Sequence, residues 1–492
     1  MTVTAAGTGG PPAALRETHS AIVLLVGDRA YKLKKPVDLG FLDFSTVAAR
    51  KAVCLREVEL NRRLAPDVYL GVADVLGPDG AVCDHLVVMR RMPEDRRLST
   101  LVAAGVPLEA DLRQLAHLIA AFLERADQPP AAREAASRDA LAARWEASFA
   151  TIDELGGPVV DPSDAARVAL LARQYLRGRE PLFDRRIAAG HARDGHGDLL
   201  ADDVFLLEDG PRVLDCIEFD DALRHGDVLA DVAFLAMDLE RLGRRDLGDL
   251  FLAEYRELTA DTWPSSLAHH HVAYRAHVRA KVACIRHAQG DQAARDEARR
   301  LLEIARSHLE SGRIRLIVVG GLPATGKSTI AAGVADSIGA VVLRSDEVRK
   351  ELSGHAAGSH AVSPVGTGIY APDVTAATYR ELLDRARALL GLGESVVLDA
   401  TWHDPEWRRA AAALAEETFA ELVELRCVTP LDVAVARATH RLAEGSDASD
   451  ADAAVIGAMA STDAPWPTAT SIDTAATAGR AVAEAIATVR RS

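Results

Sequence analysis

Residues 313–332 read RIRLIVVGGLPATGKSTIAA. The apolar run Ile314–Val319 is the length of a buried strand. It passes through Gly321, Leu322, Pro323, Ala324 and Thr325 to Gly326, Lys327, Ser328 and Thr329, where helical text begins. Gly321 to Ser328 therefore fits G-x-x-x-x-G-K-S between a strand and a helix, the context in which that motif has a physical meaning. Its glycines let backbone N–H groups turn inward around phosphate oxygens. Lys327 supplies a point charge to the β- and γ-phosphates of ATP, and the Ser328 hydroxyl is a ligand for Mg²⁺. The competing reading is a chance glycine-rich turn, which would not account for both flanking elements.

Downstream, strand-like and helical text alternate. AVVLRSD, SVVLDATW and ELVELRCVT each read as a strand, so a parallel α/β sheet is expected from residue 313 onward. Asp399 ends the second of these runs. A carboxylate at a strand end beside the phosphate loop suits Mg²⁺, although a strand-terminal cap would look the same. Asp346 closes the first run and Arg349 lies one helical turn on. Asp346 is the candidate base for an attacking hydroxyl and Arg349 the candidate substrate anchor. A helix-capping Asp with a solvated Arg is the plainer alternative. Arg437 and Arg441 share a helix face by their spacing. They could close over a transferring phosphoryl group, or simply form an exposed basic face.

GGLPATGKST, the Ser345-Asp346-x-x-Arg349 element, VVLDATW and the two arginines resemble the small P-loop kinases, including gluconate kinases, zeta-toxin-like kinases and the kinase part of polynucleotide kinases. The resemblance implies ATP-dependent phosphorylation of a hydroxyl and leaves the acceptor open.

The first half carries a second ordered set. SAIVLLV, Gly27-Asp28 and RAYKLKK read as a hairpin with Lys32 on its return strand. Residues 45–64 read as a helix carrying Glu57, with Glu59 as the alternative for its role. HLVVM is a short strand. Residues 196–203 read HGDLLADD, and Asp215 follows in VLDCIEF, with strands expected at Val204–Leu207 and Val213–Ile217. A strand lysine, a helix glutamate, a loop aspartate and a metal aspartate occur in the order of a kinase-like site. In that frame Lys32 bridges the α/β-phosphates and pairs with Glu57. Asp198 is the base, and Asp203 and Asp215 hold Mg²⁺. Lys34 and Lys35 read as solvated, and His196 as a brace for the loop.

These spacings resemble aminoglycoside phosphotransferases. ETHS, GDRAYKLKKPVDLGFLDFST, LNRRLAPDVYL, HGDL and LDCIEFDD, together with the phosphate loop, resemble bacterial bifunctional aminoglycoside-phosphotransferase/ATP-binding proteins over nearly the whole chain. The resemblance implies an α+β kinase-like domain at 1–312 followed by an α/β P-loop domain at 313–492. Two positions depart from the pattern. Asp203 stands where the phosphotransferase loop usually has a metal-binding Asn, and Leu200 where the closer family commonly has His.

Composition narrows the rest. The 492 residues are 49 % hydrophobic and 26 % charged, the balance of a cored globular protein. A net charge of −15 argues against a broad nucleic-acid or acidic-membrane surface. Five scattered cysteines without CxxC spacing read as reduced thiols in a cytoplasmic chain. No run reaches a membrane span, and the first residues lack a signal-peptide pattern. Only seven lysines stand against fifty arginines, so surviving lysines are enriched for places that need a compact ammonium.

The leading expectation is an ATP- and Mg²⁺-dependent phosphotransferase with a small-molecule hydroxyl acceptor. The alternatives are a pseudokinase or regulatory first half, which Asp203 and Leu200 would favour, and a toxin-like or nucleic-acid-end kinase.

Overall fold

The computed structural model describes residues 13–17, 20–38, 43–157, 159–354, 368, 371–444, 453–475 and 477–491. The chain forms two compact units. The first takes residues 1–168, 183–263 and 271–308. The second takes 169–182, 264–270 and 309–492, and so includes two segments that precede residue 313.

The first unit opens with five strands: β1 (Ala14–Glu17), β2 (Ala21–Val26), β3 (Arg29–Lys34), β4 (Tyr69–Leu76) and β5 (Val82–Arg90). They lie in the order β1-β2-β3-β5-β4, every neighbour antiparallel. The hairpin expected at Gly27-Asp28 is β2–β3, and Lys32 faces Val23 on one side and Val87 on the other. β4 gave no clear sequence signal because its pairing shifts register at both ends, which breaks strict alternation.

The helix Val47–Asn61 starts where the Thr46 hydroxyl accepts the Ala49 N–H. That cap satisfies one of the otherwise orphaned N–H groups of the first turn, worth about 1 kcal/mol. Its buried face carries Arg50, Val53, Cys54, Glu57, Val58 and Asn61 at three-to-four spacing. Cys54 and Val58 pack with Val68, Tyr69, Val87, Met89, Phe205 and Leu214. Glu57 thus reaches the interior as part of the packing face.

Short ribbons follow: β6 (Ala192–Asp194), β7 (Val204–Leu207), β8 (Gly210–Val213) and β9 (His225–Asp227), pairing β6 with β9 and β7 with β8. The strand expected at Val213–Ile217 ends at Val213 instead. Asp215 adopts φ 62°, a left-handed conformation that a strand cannot hold.

The second unit contains β10 (Arg315–Gly320), β11 (Val341–Arg344), β12 (Val396–Asp399), β13 (Glu421–Val428) and β14 (Thr470–Asp473) in the order β11-β12-β10-β13-β14, all parallel. β10 is central and buried throughout, as a parallel strand covered on both faces must be. Ile317, Val319, Val397, Leu425 and Ile472 pack with Ile330 and Val334 of the helix Lys327–Ile338 and with Ala485 and Val489 of the helix Ala478–Arg491. The fifth strand, β14, is only four residues and largely exposed, and the sequence reading stopped at four.

Candidate active sites

In the second unit, the chain leaves the carboxyl end of β10 and turns through Gly321 (φ 134°) and Gly326 (φ 85°) into the helix Lys327–Ile338. A Cβ on Gly321 would lie 2.5 Å from the Cys427 carbonyl, so only glycine fits there. The Thr325 hydroxyl donates to the Leu322 carbonyl at 2.8 Å, and Lys327 Nζ donates to the same oxygen at 2.9 Å. Lys327 therefore lies folded over the loop. Leu322 and Ala324 are partly exposed, Pro323 is buried, and Thr329 is exposed on the first helical turn.

β12 pairs directly with β10, and that register places Asp399 beside Val319. Ser328 Oγ donates to Asp399 Oδ2 at 2.6 Å. These two hard oxygens, next to a phosphate cradle, suit Mg²⁺. Burial pushes the Asp399 carboxyl up, and Lys327, Ser328 and Arg344 oppose that rise. Arg344 was not singled out from sequence. Its Nη2 is 3.3 Å from Ser328 Oγ and its Nε 3.5 Å from Asp399 Oδ2. The available signal was its place between an apolar strand and Ser345-Asp346.

The helix Ser345–Leu352 follows β11 directly. Asp346 lies inside its first turn, with Arg344 at the cap position, so Asp346 is not the capping residue. Arg349 Nη1 donates to Asp346 Oδ1 at 2.9 Å. The two are thus partners, and both bear electrostatically on Tyr379, whose hydroxyl lies 3.2 Å from Thr401 Oγ1 and accepts the Trp402 N–H at 3.1 Å. On the helix Leu431–Glu444, Arg437 Nη2 donates to the Thr474 carbonyl at 2.8 Å. A Cβ on Gly326 would meet Thr474 at 3.7 Å, so Arg437 is anchored beside the phosphate loop. The side chain of Arg441 lies outside the described residues.

In the first unit, Lys32 Nζ lies 2.8 Å from Glu57 Oε1 and 2.6 Å from Asp215 Oδ1. The lysine joins the strand, the helix and the loop expected to meet at a nucleotide. Glu59 is exposed and pairs with Arg56, so Glu57 alone holds that place. The reading of Lys34 as solvated is corrected. Its side chain is 1 % exposed, with Nζ 2.7 Å from Glu57 Oε2 and 2.5 Å from Glu218 Oε1. A buried Glu57 requires compensating charge, and a second lysine on the same strand face supplies it. Lysine scarcity was the signal that could have found it. Lys35, with Nζ 2.7 Å from Glu17, is more open.

The loop 196–203 is braced from behind by residues the sequence did not mark. Asp231, on the helix Val228–Arg241, accepts the His196 N–H at 2.6 Å and the Gly197 N–H at 3.0 Å. Asp238 accepts the Ala201 N–H at 2.9 Å. Burial lowers the His196 pKa. Its Nδ1 accepts from the Asp198 N–H at 3.4 Å while Nε2 donates to the Leu214 carbonyl at 3.1 Å, which defines a neutral, structural imidazole. Asn61 accepts the Cys216 N–H at 2.9 Å, and Tyr69 Oη accepts the Asp215 N–H at 3.2 Å. Leu200 is a core residue.

Three carboxylates of this region influence one another in different electrostatic settings. Lys32 holds Asp215 down to about 2. Burial pushes Asp198 up to about 6. Burial, with the neighbouring charges of Asp215 and Asp198, pushes Asp203 well above the usual carboxylate range. A divalent cation would relieve that repulsion, so the donor set fits Mg²⁺. Among the described residues no three His, Cys, Asp or Glu side chains are gathered to hold a metal by themselves. In either unit the nucleotide phosphates and water would complete the coordination, as Mg²⁺ usually requires.

Fold and sites together define a P-loop nucleotide-binding unit and a second unit in which a strand lysine, a helix glutamate and a loop aspartate meet. Residues 316–465 match the AAA domain family. An uncharacterised protein of Mycobacterium tuberculosis (strain ATCC 25618 / H37Rv) is 44 % identical over 471 residues, covering 96 % of this chain and 94 % of that one. The chain belongs to the family of this mycobacterial protein. Among solved structures, a gluconokinase from Sinorhizobium meliloti 1021 is similar over 36 % of this chain and 92 % of its own, at 16 % identity and TM-score 0.27. A choline/ethanolamine kinase family protein from Mesorhizobium loti is similar over 60 % of this chain and 93 % of its own, at 14 % identity and TM-score 0.38. Among the described residues no helix is long and apolar enough to cross a membrane.

Proposed function

We propose that the chain is an ATP- and Mg²⁺-dependent phosphotransferase that moves the γ-phosphoryl group to a hydroxyl of a small molecule. The observation that carries this reading is the 2.6 Å contact between Ser328 and Asp399 at the mouth of the glycine-rich loop, beside Lys327. It joins a phosphate cradle, a long flexible cation and two oxygens suited to Mg²⁺ at the carboxyl end of the sheet. Ser328 and Asp399 would hold Mg²⁺, which shields phosphate charge when bound. Lys327 would swing from the Leu322 carbonyl to the β- and γ-phosphates. Asp346 would take the acceptor's proton, with Arg349 fixing its carboxylate, and Arg437 would approach the phosphoryl group from the Thr474 side.

The first unit supports a second site of the same chemistry. Lys32, held by Glu57, would contact the α/β-phosphates. Asp215 and Asp203 would hold Mg²⁺, and Asp198, raised toward neutral pH, would serve as base. The crowding of Asp203 against Asp215 and Asp198 favours one alternative, a nucleotide-binding regulatory unit without turnover.

The test is transfer from γ-³²P-ATP by the full chain to a panel of hydroxylated metabolites, with Lys327→Ala and Asp215→Ala silencing the sites one at a time. Labelled product lost in Lys327→Ala assigns transfer to the second unit, and product lost in Asp215→Ala assigns it to the first. Unchanged product in both variants rules the reading out.

A further inference from the structure

Beside the loop 196–203 of the first unit lies a cavity of about 60 Å³ that opens to solvent. Its walls come from the helix Arg138–Leu155, the segment 222–227, the start of the helix Val228–Arg241 and the helix Ser265–Ala288. Three guanidiniums line it, and their circumstances differ. Arg224 is already committed, donating to Asp194 at 2.8 Å and to Asp221 at 2.6 Å. Arg144 has no carboxylate partner among the described residues. Its Nη2 donates to the Ala135 carbonyl at 2.8 Å, it meets Tyr274, and its Nε is buried without an acceptor. Arg275 donates Nε to the Ala230 carbonyl at 3.1 Å, pairs with Asp231 at 3.7 Å and lies over the Phe234 ring at 4.6 Å.

The acids on the same wall are engaged elsewhere. Asp227 accepts from Arg186 and from the Leu229 N–H, and Asp231 accepts the two loop N–H groups. Burial pushes His271 down to about 4, so it adds no charge at neutral pH. Burial holds the Arg144 pKa down, and the neighbouring charge of Arg275 adds to that. Arg275 and Arg279, one turn apart on a single helix, both draw on Asp198. Arg275 thus lines the cavity and also bears on the Asp198 carboxylate. Holding Arg144 without a carboxylate beside a second guanidinium is costly unless an anion completes the set, and guanidinium geometry matches a carboxylate or phosphate.

We propose that the acceptor of the first unit is a hydroxylated anion, its carboxylate or phosphate held by Arg144 and Arg275 and its hydroxyl presented to Asp198. The proposal rests on the phosphotransferase reading of this unit. In the transfer the acceptor oxygen bonds to the γ-phosphorus and the bond from that phosphorus to the bridging oxygen of ATP breaks. ADP leaves with the electron pair, and the hydroxyl proton passes to Asp198. A polycationic acceptor meets repulsion from the same wall.

Calorimetry on the full chain carrying Lys327→Ala, which confines nucleotide binding to the first unit, decides the matter. Glycerol, glycerate, glycerol 3-phosphate and kanamycin are titrated with and without Mg²⁺ and a non-hydrolysable ATP analogue. Glycerate or glycerol 3-phosphate should bind, and whichever is preferred distinguishes a carboxylate from a phosphate. Glycerol and kanamycin should not bind. Arg144→Gln should weaken anion binding about tenfold, as expected for loss of a charge-assisted contact, and Arg144→Lys should restore part of it. Arg275→Gln should weaken it likewise, and it serves if Arg144→Gln does not fold. Binding of kanamycin in place of the anions, absence of anion binding, or anion binding indifferent to both arginines overturns the proposal. Failure of the ATP analogue to bind removes the phosphotransferase reading alone, because the titrations without nucleotide still report on the anion.

Discussion

Lys34 Nζ lies 2.7 Å from Glu57 Oε2, on the carboxylate whose other oxygen holds Lys32. One buried glutamate thus serves two lysines of the same strand, and Glu218 completes the set on Lys34. Only Lys32 also reaches the loop at Asp215. Lys34 is the internal counter-charge that lets Glu57 stay ionised while Lys32 reaches Asp215.

Lys34→Ala should therefore destabilise the first unit by about 3–5 kcal/mol, the usual cost of removing one partner from a buried ion pair. Lys35→Ala, whose partner Glu17 is exposed, should cost about 1 kcal/mol or less. Urea unfolding of the two variants compares them directly, and equal losses would contradict the assignment.

Nucleotide stoichiometry should follow the two lysines separately. Wild type should bind two ATP analogues per chain, Lys327→Ala and Lys32→Ala one each, and the double variant none. Equilibrium dialysis gives the count. A wild-type value of one would remove whichever site its single-lysine variant leaves unaffected.

Asp346→Asn should keep ATP binding by the second unit and lower its turnover by roughly 10²–10⁴-fold, the range of a general-base contribution. The amide can still meet Arg349, so the helix Ser345–Leu352 should be undisturbed. Wild-type turnover in this variant would place the base elsewhere.

Asp203→Asn should ease the metal requirement of the first unit. Asp203 is pushed up by burial and by Asp215 and Asp198, so metal-free nucleotide should be repelled. In a Lys327→Ala background, ATP binding should rise steeply with Mg²⁺, and Asp203→Asn should flatten that rise. Identical metal titrations would show that Asp203 does not face the phosphates.

Acid should weaken the first unit before most carboxylates titrate. Burial lowers His271 to about 4 and His277 to about 3, from an ordinary 6.5. Both are neutral when folded, whereas the unfolded chain takes up their protons below 6.5. Their stabilising contribution is complete above pH 6.5 and is lost progressively as pH falls, by about 3 kcal/mol for His271 near pH 4 and about 5 kcal/mol for His277 near pH 3. His277→Gln should flatten the slope of thermal stability between pH 6.5 and 4, and an unchanged slope would speak against a buried neutral His277.

The sequence by itself determined what is local. The glycine-rich loop, its strand and its helix are one continuous stretch, with positive φ at Gly321 and Gly326. The hairpin bearing Lys32, the helix bearing Glu57 and the order of Asp198, Asp203 and Asp215 were legible for the same reason. Turns, caps and apolar periodicity are written within a few residues of where they act. The tertiary structure alone decided the partners. Asp399 meets Ser328 because β12 pairs with β10, and Lys34 meets Glu57 and Glu218 across a packed interior. Asp231 braces the loop from a helix 35 residues away in sequence. The left-handed turn at Asp215 overrode an apolar run that read as strand. Such pairings bring together residues that share no local pattern, so no periodicity records them. Burial and charge compensation choose them only once the chain has closed around them.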